Sequence, residues 1–306
     1  MHRIALVAPC YNEGQTVVRF LESVEKNLRE ATGVTIEVIV VDDASSDDTP
    51  DLLKKFSFAC LHLHYRPIRL RFNLGHQMAI QQGLAFACTL DVENIVVMDS
   101  DGEDDPAALP ELISKRGYDI VNVTRGRRSE TLGFRLGYSI YKGLFRFVTG
   151  KEMNFGNYCM VSKNVAQIAV HKSYVHFPAF LLKQKLSRFS IKVDRAPRID
   201  GKSKMNTAGL IYHAFKSLVE FSEDLLMIFL KLFVLIMILF MLALGNVLWQ
   251  KFFAHTAILG WTSMIAIGLF NLAIISIGFF VLGILLLNLS HQRNQINRER
   301  IYDEVQ

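Results

Sequence analysis

Val96-Val97-Met98-Asp99-Ser100-Asp101-Gly102-Glu103-Asp104-Asp105-Pro106 is the stretch from which the rest of the chain can be read. A short β-branched apolar run ends in five carboxylates within seven positions. Residues 95–98 read as a buried strand. Carboxylates at the carboxyl end of such a strand stand where open α/β sheets bind their ligands. Asp99 and Asp101 are two apart, so on a continuing strand both side chains point to one face. Two hard oxygen donors on one face suit Mg2+ or Mn2+, and either ion can bridge a diphosphate. The alternative is an acidic turn that caps the next helix, with Pro106 in its first turn. The stretch alone leaves both readings open.

Its neighbours narrow the choice. Upstream and downstream, strand-like and helix-like segments alternate: strands at residues 4–8, 36–41, 61–65, 95–98 and 118–123, and helices at 15–29, 49–56, 75–87 and 107–115. Strands that are apolar throughout, as 4–8 and 95–98 are, belong in parallel sheets covered on both faces, and the alternation implies βαβ units. The fold class that follows is α/β, Rossmann-like, with a mostly parallel sheet. Between residues 125 and 204 the pattern loosens to a helix at 132–148 and strands at 155–161 and 191–193, a half suited to covering the sheet and shaping a second substrate's pocket.

The chain has 306 residues, is 51% hydrophobic, and concentrates its apolar excess near the carboxyl end. Residues 225–249 and 263–289 each exceed the ~20 apolar residues that a helix needs to cross a bilayer. Just before them, residues 205–224 place Leu210, Ile211, Ala214, Phe215, Leu218 and Val219 on one helical face, with Lys202, Lys204 and Lys216 nearby. That pattern fits an interfacial helix lying among lipid headgroups and equally a helix packed on the globular domain. The amino-terminal apolar run is too short for a signal-peptide core. Arg293, Arg298 and Arg300 follow the second apolar run, whereas Lys251 stands alone between the two. By the positive-inside rule, both termini and the domain of residues 1–204 are expected on the cytoplasmic side of an inner membrane, with 290–306 as a cytoplasmic tail. The four cysteines lack metal or disulfide spacing and read as free thiols. A net charge of +5 is better matched to anionic lipid than to nucleic acid, and no nucleic-acid partner is expected. Two adjacent spans also leave room for a homo-oligomer through the membrane helices.

Three polar clusters follow the first, second and fourth strands: Pro9-Cys10-Tyr11-Asn12-Glu13, the run from Asp42 to Thr49, and the acidic stretch itself. All fall at one edge of the sheet, where a nucleotide crevice forms. A G-x-G-x-x-G turn is absent after the first strand, as is a Walker lysine motif, which argues against dinucleotides and P-loop chemistry. A bound diphosphate would then need a metal to neutralise it.

Pro9-x-Tyr11-Asn12-Glu13, Asp42-Asp43-x-Ser45-x-Asp47-x-Thr49, Gly75-His76-Gln77 and Asp99-x-Asp101, in this order, resemble glycosyltransferase family 2 and its GT-A fold. Residues 118–125, Arg135 to Ser139 and Arg198-x-x-Gly201-Lys202-Ser203-Lys204, followed by two apolar runs, resemble its polyprenyl-phosphate glycosyltransferases. The resemblance implies that Pro9, Tyr11, Glu13, Asp43 and Asp99 hold a nucleotide sugar, with Asp42 beside them. It implies that Asp99, Asp101 and Glu103 ligate Mg2+ or Mn2+, and that Arg125, Arg135, Ser139, Arg198 and Lys204 grip the acceptor and donor phosphates. Catalysis would rest on Asp99, Asp101, Arg125 and Arg198. Ser45 and Asp47 read instead as turn and helix-cap residues, and His76 as a helix-start residue. Two departures bear on the sugar and the acceptor. The family's Asp-Phe-Arg stretch is here Asn154-Phe155-Gly156-Asn157-Tyr158, and residues 175–179 lack an arginine.

The implied reaction is a metal-dependent, inverting transfer of sugar from a nucleoside diphosphate, UDP by expectation, to a polyprenyl phosphate such as undecaprenyl phosphate. A phosphate monoester is largely dianionic at neutral pH, so it can attack without a general base, and no dedicated base stands out in the sequence. Two alternatives stay open. A relative acting on a hydroxyl would need Asp104 or Asp105 as base, and a non-catalytic scaffold would bind nucleotide sugars without turnover.

Overall fold

β1 (His2–Cys10) and β2 (Val34–Asp42) form the centre of an eight-stranded sheet in the computed structural model, which describes residues 2–125, 132–172, 174–193, 214–254, 260–296 and 302–304. Both strands are buried along most of their length. Aliphatic side chains occupy both of their faces, the pattern of strands sandwiched between helical layers. With β3 (Leu63–Leu70), β4 (Asn94–Val97), β5 (Ile120–Arg125), β6 (Phe155–Ser162), β7 (Arg188–Val193) and β8 (Tyr302–Glu304), the order is β7-β5-β6-β4-β1-β2-β3-β8. β4, β1, β2 and β3 run parallel, β6 lies antiparallel between β4 and β5, and β8 is antiparallel to β3.

Alternate residues of the central strands feed two separate cores. Ile4, Leu6, Val38 and Val40 pack with α1 (Val17–Leu28), α2 (Thr49–Lys55) and α4 (Leu109–Ser114). Ala5, Val7, Ile39 and Val41 pack with α3 (His76–Thr89), α6 (Lys163–Lys172) and α7 (Phe177–Lys183). The result is a helix–sheet–helix sandwich. α3 lies so close to the sheet that a Cβ on Gly83 would stand 2.4 Å from Val7 Cγ1 and 2.8 Å from Val41 Cγ2.

The chain builds β1, β2 and β3 in one direction and then crosses to set β4 on the other side of β1. The strand order therefore reverses between β1 and β4. At that reversal the loops leaving the carboxyl ends part in opposite directions and leave a crevice.

The fold departs from the sequence reading in several places. The strand expected at 61–65 runs instead over Leu63–Leu70, through Pro67. Among the described residues β8 pairs with Ile68–Leu70, so Pro67 lies beyond that ladder on the outer side of β3, where proline is tolerated. The helix expected at 107–115 is a 3-10 turn at Pro106–Ala108 followed by α4. α6, α7 and β8 were not foreseen. Of the amphipathic segment at 205–224, residues 214–219 are helical, and 205–213 lie outside the described residues.

By contacts, the chain divides into two compact units, one of residues 1–143, 151–220 and 299–306, the other of 144–150 and 221–298. α5 (Leu132–Thr149) contributes to both. The last residues, expected as a tail, thus belong to the first unit through β8. In the second unit, α8 (Ser222–Trp249) and α9 (Trp261–Ile296) pair along their lengths. Ser276 Oγ donates to the Phe229 carbonyl at 2.8 Å, and Phe229 stacks on Phe279. Elsewhere their apolar side chains face outward: Leu235, Leu242, Leu272 and Leu285 are all more than half exposed. A helix of a soluble core would bury such residues. Both helices are long and apolar enough to cross a membrane.

Candidate functional site

The loops that leave β1 and β2 are knitted into one surface. Asn12, held at φ 54°, takes its backbone N–H to Ser45 Oγ at 2.9 Å, and its Oδ1 accepts from Ser46 N at 2.9 Å. Glu13 N donates to Thr49 Oγ1 at 2.9 Å, and the Glu13 carboxylate is engaged by the Thr16 hydroxyl. Asp47 accepts from Thr49 N at 3.0 Å and Gly14 N at 3.1 Å; the N-cap of α2 is its neighbour Asp48, and Asp47 ties the start of that helix to the first loop. Pro9 sits in β1 with its carbonyl receiving Ser100 Oγ at 2.8 Å, and Tyr11 is 45% exposed beside it.

Asp42 and Asp43 divide their work. Asp42 is buried and accepts from Ser45 N at 2.9 Å, with Arg69 Nε 3.3 Å from its other oxygen. Asp43 receives Leu74 N at 2.7 Å on one oxygen and Gly75 N at 2.9 Å on the other. Burial pushes the Asp43 carboxyl above the usual carboxylate range, the two backbone donors oppose this, and neighbouring Asp42 adds to it. Cys10 lies beneath these carboxylates, and burial together with their charge drives its thiol well above the ordinary value. It is an inert core thiol, as is Cys159, whereas Cys60 and Cys88 are only part-buried.

The acidic stretch does not continue as a strand. β4 ends at Val97, and the chain turns over residues 100–102 with Gly102 at φ 80°. The expectation that Asp99 and Asp101 share one strand face is therefore replaced by a turn in which each carboxylate has its own surroundings. Asp101 Oδ1 accepts from Glu103 N at 2.9 Å, a tight turn that Gly102 permits. Asp104 accepts from Asp99 N at 2.9 Å, folding the loop back on itself. Of the two residues expected to cap the following helix, only Asp105 does so, accepting from Ala107 N at 2.9 Å. Glu103 and Asp104 are both buried.

The sequence reads His76 as a helix-start residue, and it is one; what the sequence does not show is its place beside the acidic turn. His76, the first residue of α3, brings Nε2 to 3.2 Å from Asp99 Oδ1. Gly75 precedes it at φ 84°, where the chain turns from the β3 loop into the helix. Burial alone would lower the His76 imidazole, but the carboxylates of Asp99, Asp101 and Asp104 outweigh it and raise its pKa above the ordinary value. Asn157 of β6 approaches the same Nε2 at 2.9 Å, and Gln77 links Asn157 Oδ1 to the backbone N–H of Phe177. The signal was the quoted Gly75-His76-Gln77, but nothing local in it points to a loop 23 residues downstream. A cavity of about 270 Å³ opens beside this cluster, lined among others by Gly75, His76, Gln77, Tyr174, Val175 and Lys216.

The structure thus brings Pro9, Tyr11, Glu13, Asp42, Asp43, Asp99, Asp101 and Glu103 to the crevice edge of the sheet. Arg125 closes β5, and Arg135 and the exposed Ser139 lie on α5. Arg198 and Lys204 lie outside the described residues. Among the described residues, no three His, Cys, Asp or Glu side chains are gathered as a finished metal centre. The donor types at this edge, carboxylate oxygens on the acidic turn and the His76 imidazole of α3 beside Asp99, are ones that a divalent cation accepts.

The family model of glycosyl transferase family 2 matches residues 5–188. An undecaprenyl-phosphate 4-deoxy-4-formamido-L-arabinose transferase of Enterobacter sp. (strain 638) is 28% identical over 219 residues, 69% of this chain and 65% of that protein. The corresponding transferase of Pectobacterium carotovorum is 28% identical over 233 residues, 73% of this chain and 66% of that protein. The chain therefore spans about two thirds of the length of these curated relatives. Among solved structures, mannosyl-3-phosphoglycerate synthase from Rubrobacter xylanophilus aligns with a TM-score of 0.52 at 14% identity, over 73% of this chain and 74% of that one. A mannosyltransferase from Pyrobaculum calidifontis, solved with GDP-Man and Mn2+, aligns at 0.51 and 15%, over 72% and 63%. The likeness places the sheet and its helical layers in the GT-A fold.

Proposed function

The chain belongs to glycosyl transferase family 2, and on that premise we propose that it transfers a sugar from a nucleoside diphosphate, UDP in our reading, to a polyprenyl phosphate at the cytoplasmic face of a membrane. The observation that carries this reading is a juxtaposition. Asp99 and Asp101 stand at the crevice where the strand order reverses, in a chain whose second unit is a pair of apolar helices exposed to their surroundings. The names of the curated relatives, which act on undecaprenyl phosphate, support the same acceptor class.

The first two loops supply a floor for the nucleoside, with Tyr11 exposed above it and Glu13 at its edge. Asp99, Asp101 and Glu103 would hold the divalent ion. When bound, that ion neutralises the leaving diphosphate and acts as a Lewis acid on it. An oxygen of the acceptor phosphate attacks the anomeric carbon while the bond from that carbon to the diphosphate oxygen breaks. The nucleoside diphosphate leaves with the electron pair, and the configuration inverts. We assign the acceptor phosphate to the cavity beside His76, where Lys216 offers a cation. The dianionic acceptor needs no base. Asp104 and Asp105, the candidates that a hydroxyl acceptor would require, instead support the loop and cap the 3-10 turn.

β8 supports one feature of the membrane reading. The chain leaves the first unit at residue 220 and returns to it at 299, after two helices. If both helices cross, the termini and the sheet share one side. The experiment is a panel of nucleotide sugars assayed with undecaprenyl phosphate and Mg2+ or Mn2+, using membranes that carry the protein. Transfer of label into an organic-extractable, mild-acid-labile lipid is expected, and Asp101→Ala should lower it by at least about a hundredfold, the scale set by losing a charge stabiliser at the reacting centre. A base-stable product, or an undiminished rate in the variant, would overturn the reading.

A further inference from the structure

We propose that α9 docks in the membrane against α9 of a second copy of this chain, with Asn271 of each copy hydrogen-bonded to Asn271 of the other. The inference rests on the reading that α8 and α9 cross a bilayer, and it goes beyond that reading by naming what covers one helix face.

The first observation is a polar side chain surrounded by hydrocarbon. Asn271 lies within the apolar span Met264–Leu286 and is exposed. At about 1.5 Å per residue it stands about 10 Å from the nearer end of that span and about 22 Å from the other, well inside a hydrocarbon layer of about 30 Å. Its amide carries two donors and an acceptor, and among the described residues none of them has a partner. Acyl and polyprenyl chains offer no partner either, and a polar group left unpaired in hydrocarbon is costly. Asn246 shows the contrast: it sits near the end of α8 and accepts from Gln250 Nε2 at 3.4 Å.

The second observation is where Asn271 points. Toward α8, α9 turns the buried Ala273 and Ser276 and also Gly283, where an added Cβ would collide with Leu226. Asn271 lies about 140° around the helix from Ser276. It shares its face with Gly268, Ile275, Gly278 and Leu282, all exposed. These positions alternate in steps of three and four, the spacing at which two helices meet in a left-handed seam. Unlike Gly283, Gly268 and Gly278 serve no close approach within this chain, since a Cβ on either meets nothing within 4 Å. Small residues beside a polar one let membrane helices come near enough for side chains to hydrogen-bond across them.

The amide also identifies the occupant, because it is complementary to itself. Copies inserted by one route run in the same direction, so α9 meets α9 in parallel and brings Asn271 opposite Asn271 at one depth. The contact is then isologous, about a two-fold axis along the membrane normal.

The test uses the purified full-length protein in lipid vesicles, with donor-labelled and acceptor-labelled copies mixed and energy transfer followed as lipid is added. Wild-type transfer should stay above that of random mixing on dilution. Asn271→Leu should weaken self-association by about tenfold, Asn271→Gln should retain most of it, and Asn246→Leu should leave it unchanged. Gly278→Ile, which fills open space in the single chain, should weaken it as well without lowering the melting temperature, so the test does not hang on one variant. On oxidation, Ile275→Cys should give a disulfide-linked dimer above the background of the native cysteines, and Phe280→Cys, on the side of Ser276, should not. Wild-type transfer at the random level, with the protein held in the vesicles through an alkaline carbonate wash, would overturn the proposal and leave the membrane reading standing. Equal transfer in wild type and Asn271→Leu would overturn the role of Asn271. Loss of the protein to the alkaline wash would overturn the membrane reading and the proposal with it.

Discussion

Asp43 and Gly75 are joined by a hydrogen bond of 2.9 Å from the glycine N–H to Oδ2, while Oδ1 holds the neighbouring Leu74 N–H at 2.7 Å. The carboxylate at the end of β2 thus fixes the turn from which α3 and His76 start. This makes Asp43 a structural tie as well as a candidate contact to the nucleoside. An amide has one accepting oxygen where the carboxylate has two, so Asp43→Asn leaves one buried N–H facing a donor. The expected loss is about 1–3 kcal/mol of stability, read as a lower melting temperature, together with a raised KM for the donor. A residue that only touched the nucleoside would change KM and leave the melt where it was.

What could be read from the sequence follows the range of the forces involved. β1, β2 and β4 announce themselves because a strand buried on both faces is apolar almost throughout, which residues 4–8, 95–98 and, but for Glu37, 36–41 are. β3 was cut short at Tyr65 because Arg66, Pro67 and Arg69 look like an end; the strand continues because it lies next to the sheet's edge, and Glu37 on β2 meets Arg66. The acidic turn was legible as a site and misread in geometry, since Gly102 could be seen but not the turn it makes. His76 was legible as the start of a helix but not as a neighbour of Asp99, and β8 was not legible at all. Each acquires its meaning from a partner that the fold alone brings near: Asp99 in one case, Ile68–Leu70 in the other.

Glu37 shows where stability depends on pH. Its carboxylate is buried and accepts from His64 Nδ1 at 2.8 Å and Arg66 Nε at 3.0 Å. Burial pushes its pKa up, but the hydrogen bonds and charges of His64 and Arg66 prevail and hold it below the usual value. A carboxyl depressed on folding adds stability that is fully present above the unfolded pKa, about 4.3 for glutamate, and lost as pH falls through the folded value. Glu37→Gln should therefore lower the apparent melting temperature at pH 7. The gap between the two proteins should close as the pH is taken below 4. A gap that persists unchanged at acid pH would mean that packing, not charge, is what the glutamate supplies.

Gly83 is the position where α3 comes closest to the sheet. A methyl group there meets Val7 and Val41, branched side chains fixed in the two central strands, at well under contact distance. Neither strand can move without disturbing its neighbours, so the helix must shift. Gly83→Ala is expected to destabilise the first unit by about 1–3 kcal/mol, the usual range for overpacking, despite the better helix propensity of alanine. Thermal melts of the two proteins measure the loss.

Lys216 separates acceptor from donor. It lines the cavity beside His76, and in our reading it meets the acceptor phosphate. A hydrogen bond to a charged group contributes about 1.5–3 kcal/mol. Lys216→Ala should accordingly raise the KM for polyprenyl phosphate by about tenfold while leaving the KM for the sugar nucleotide within about twofold. An equal rise in both would move Lys216 out of the acceptor site.

The strand furthest along the chain makes the last prediction. β8 pairs Tyr302, Asp303 and Glu304 with Leu70, Arg69 and Ile68, stacks Tyr302 edge-on against Phe86 at 5.6 Å, and brings Asp303 to 3.2 Å from Arg71. The surface ion pair adds little. The ladder and the ring contact do more, because they cover the outer edge of β3, which would otherwise offer unpaired backbone groups to other chains. Deleting residues 302–306 should leave the fold intact, open Arg69 and Arg71 to trypsin, and increase aggregation on warming. The same pairing constrains topology, since a residue hydrogen-bonded to β3 must lie on the side of the membrane that holds the sheet. A cysteine placed at Asp303 should react with a membrane-impermeant thiol reagent only where the catalytic domain is also accessible: in inverted vesicles on our reading, and in right-side-out ones only after permeabilisation. Labelling of that cysteine in sealed right-side-out vesicles while the catalytic domain stays protected would break the two-span arrangement and, with it, the pairing of β8.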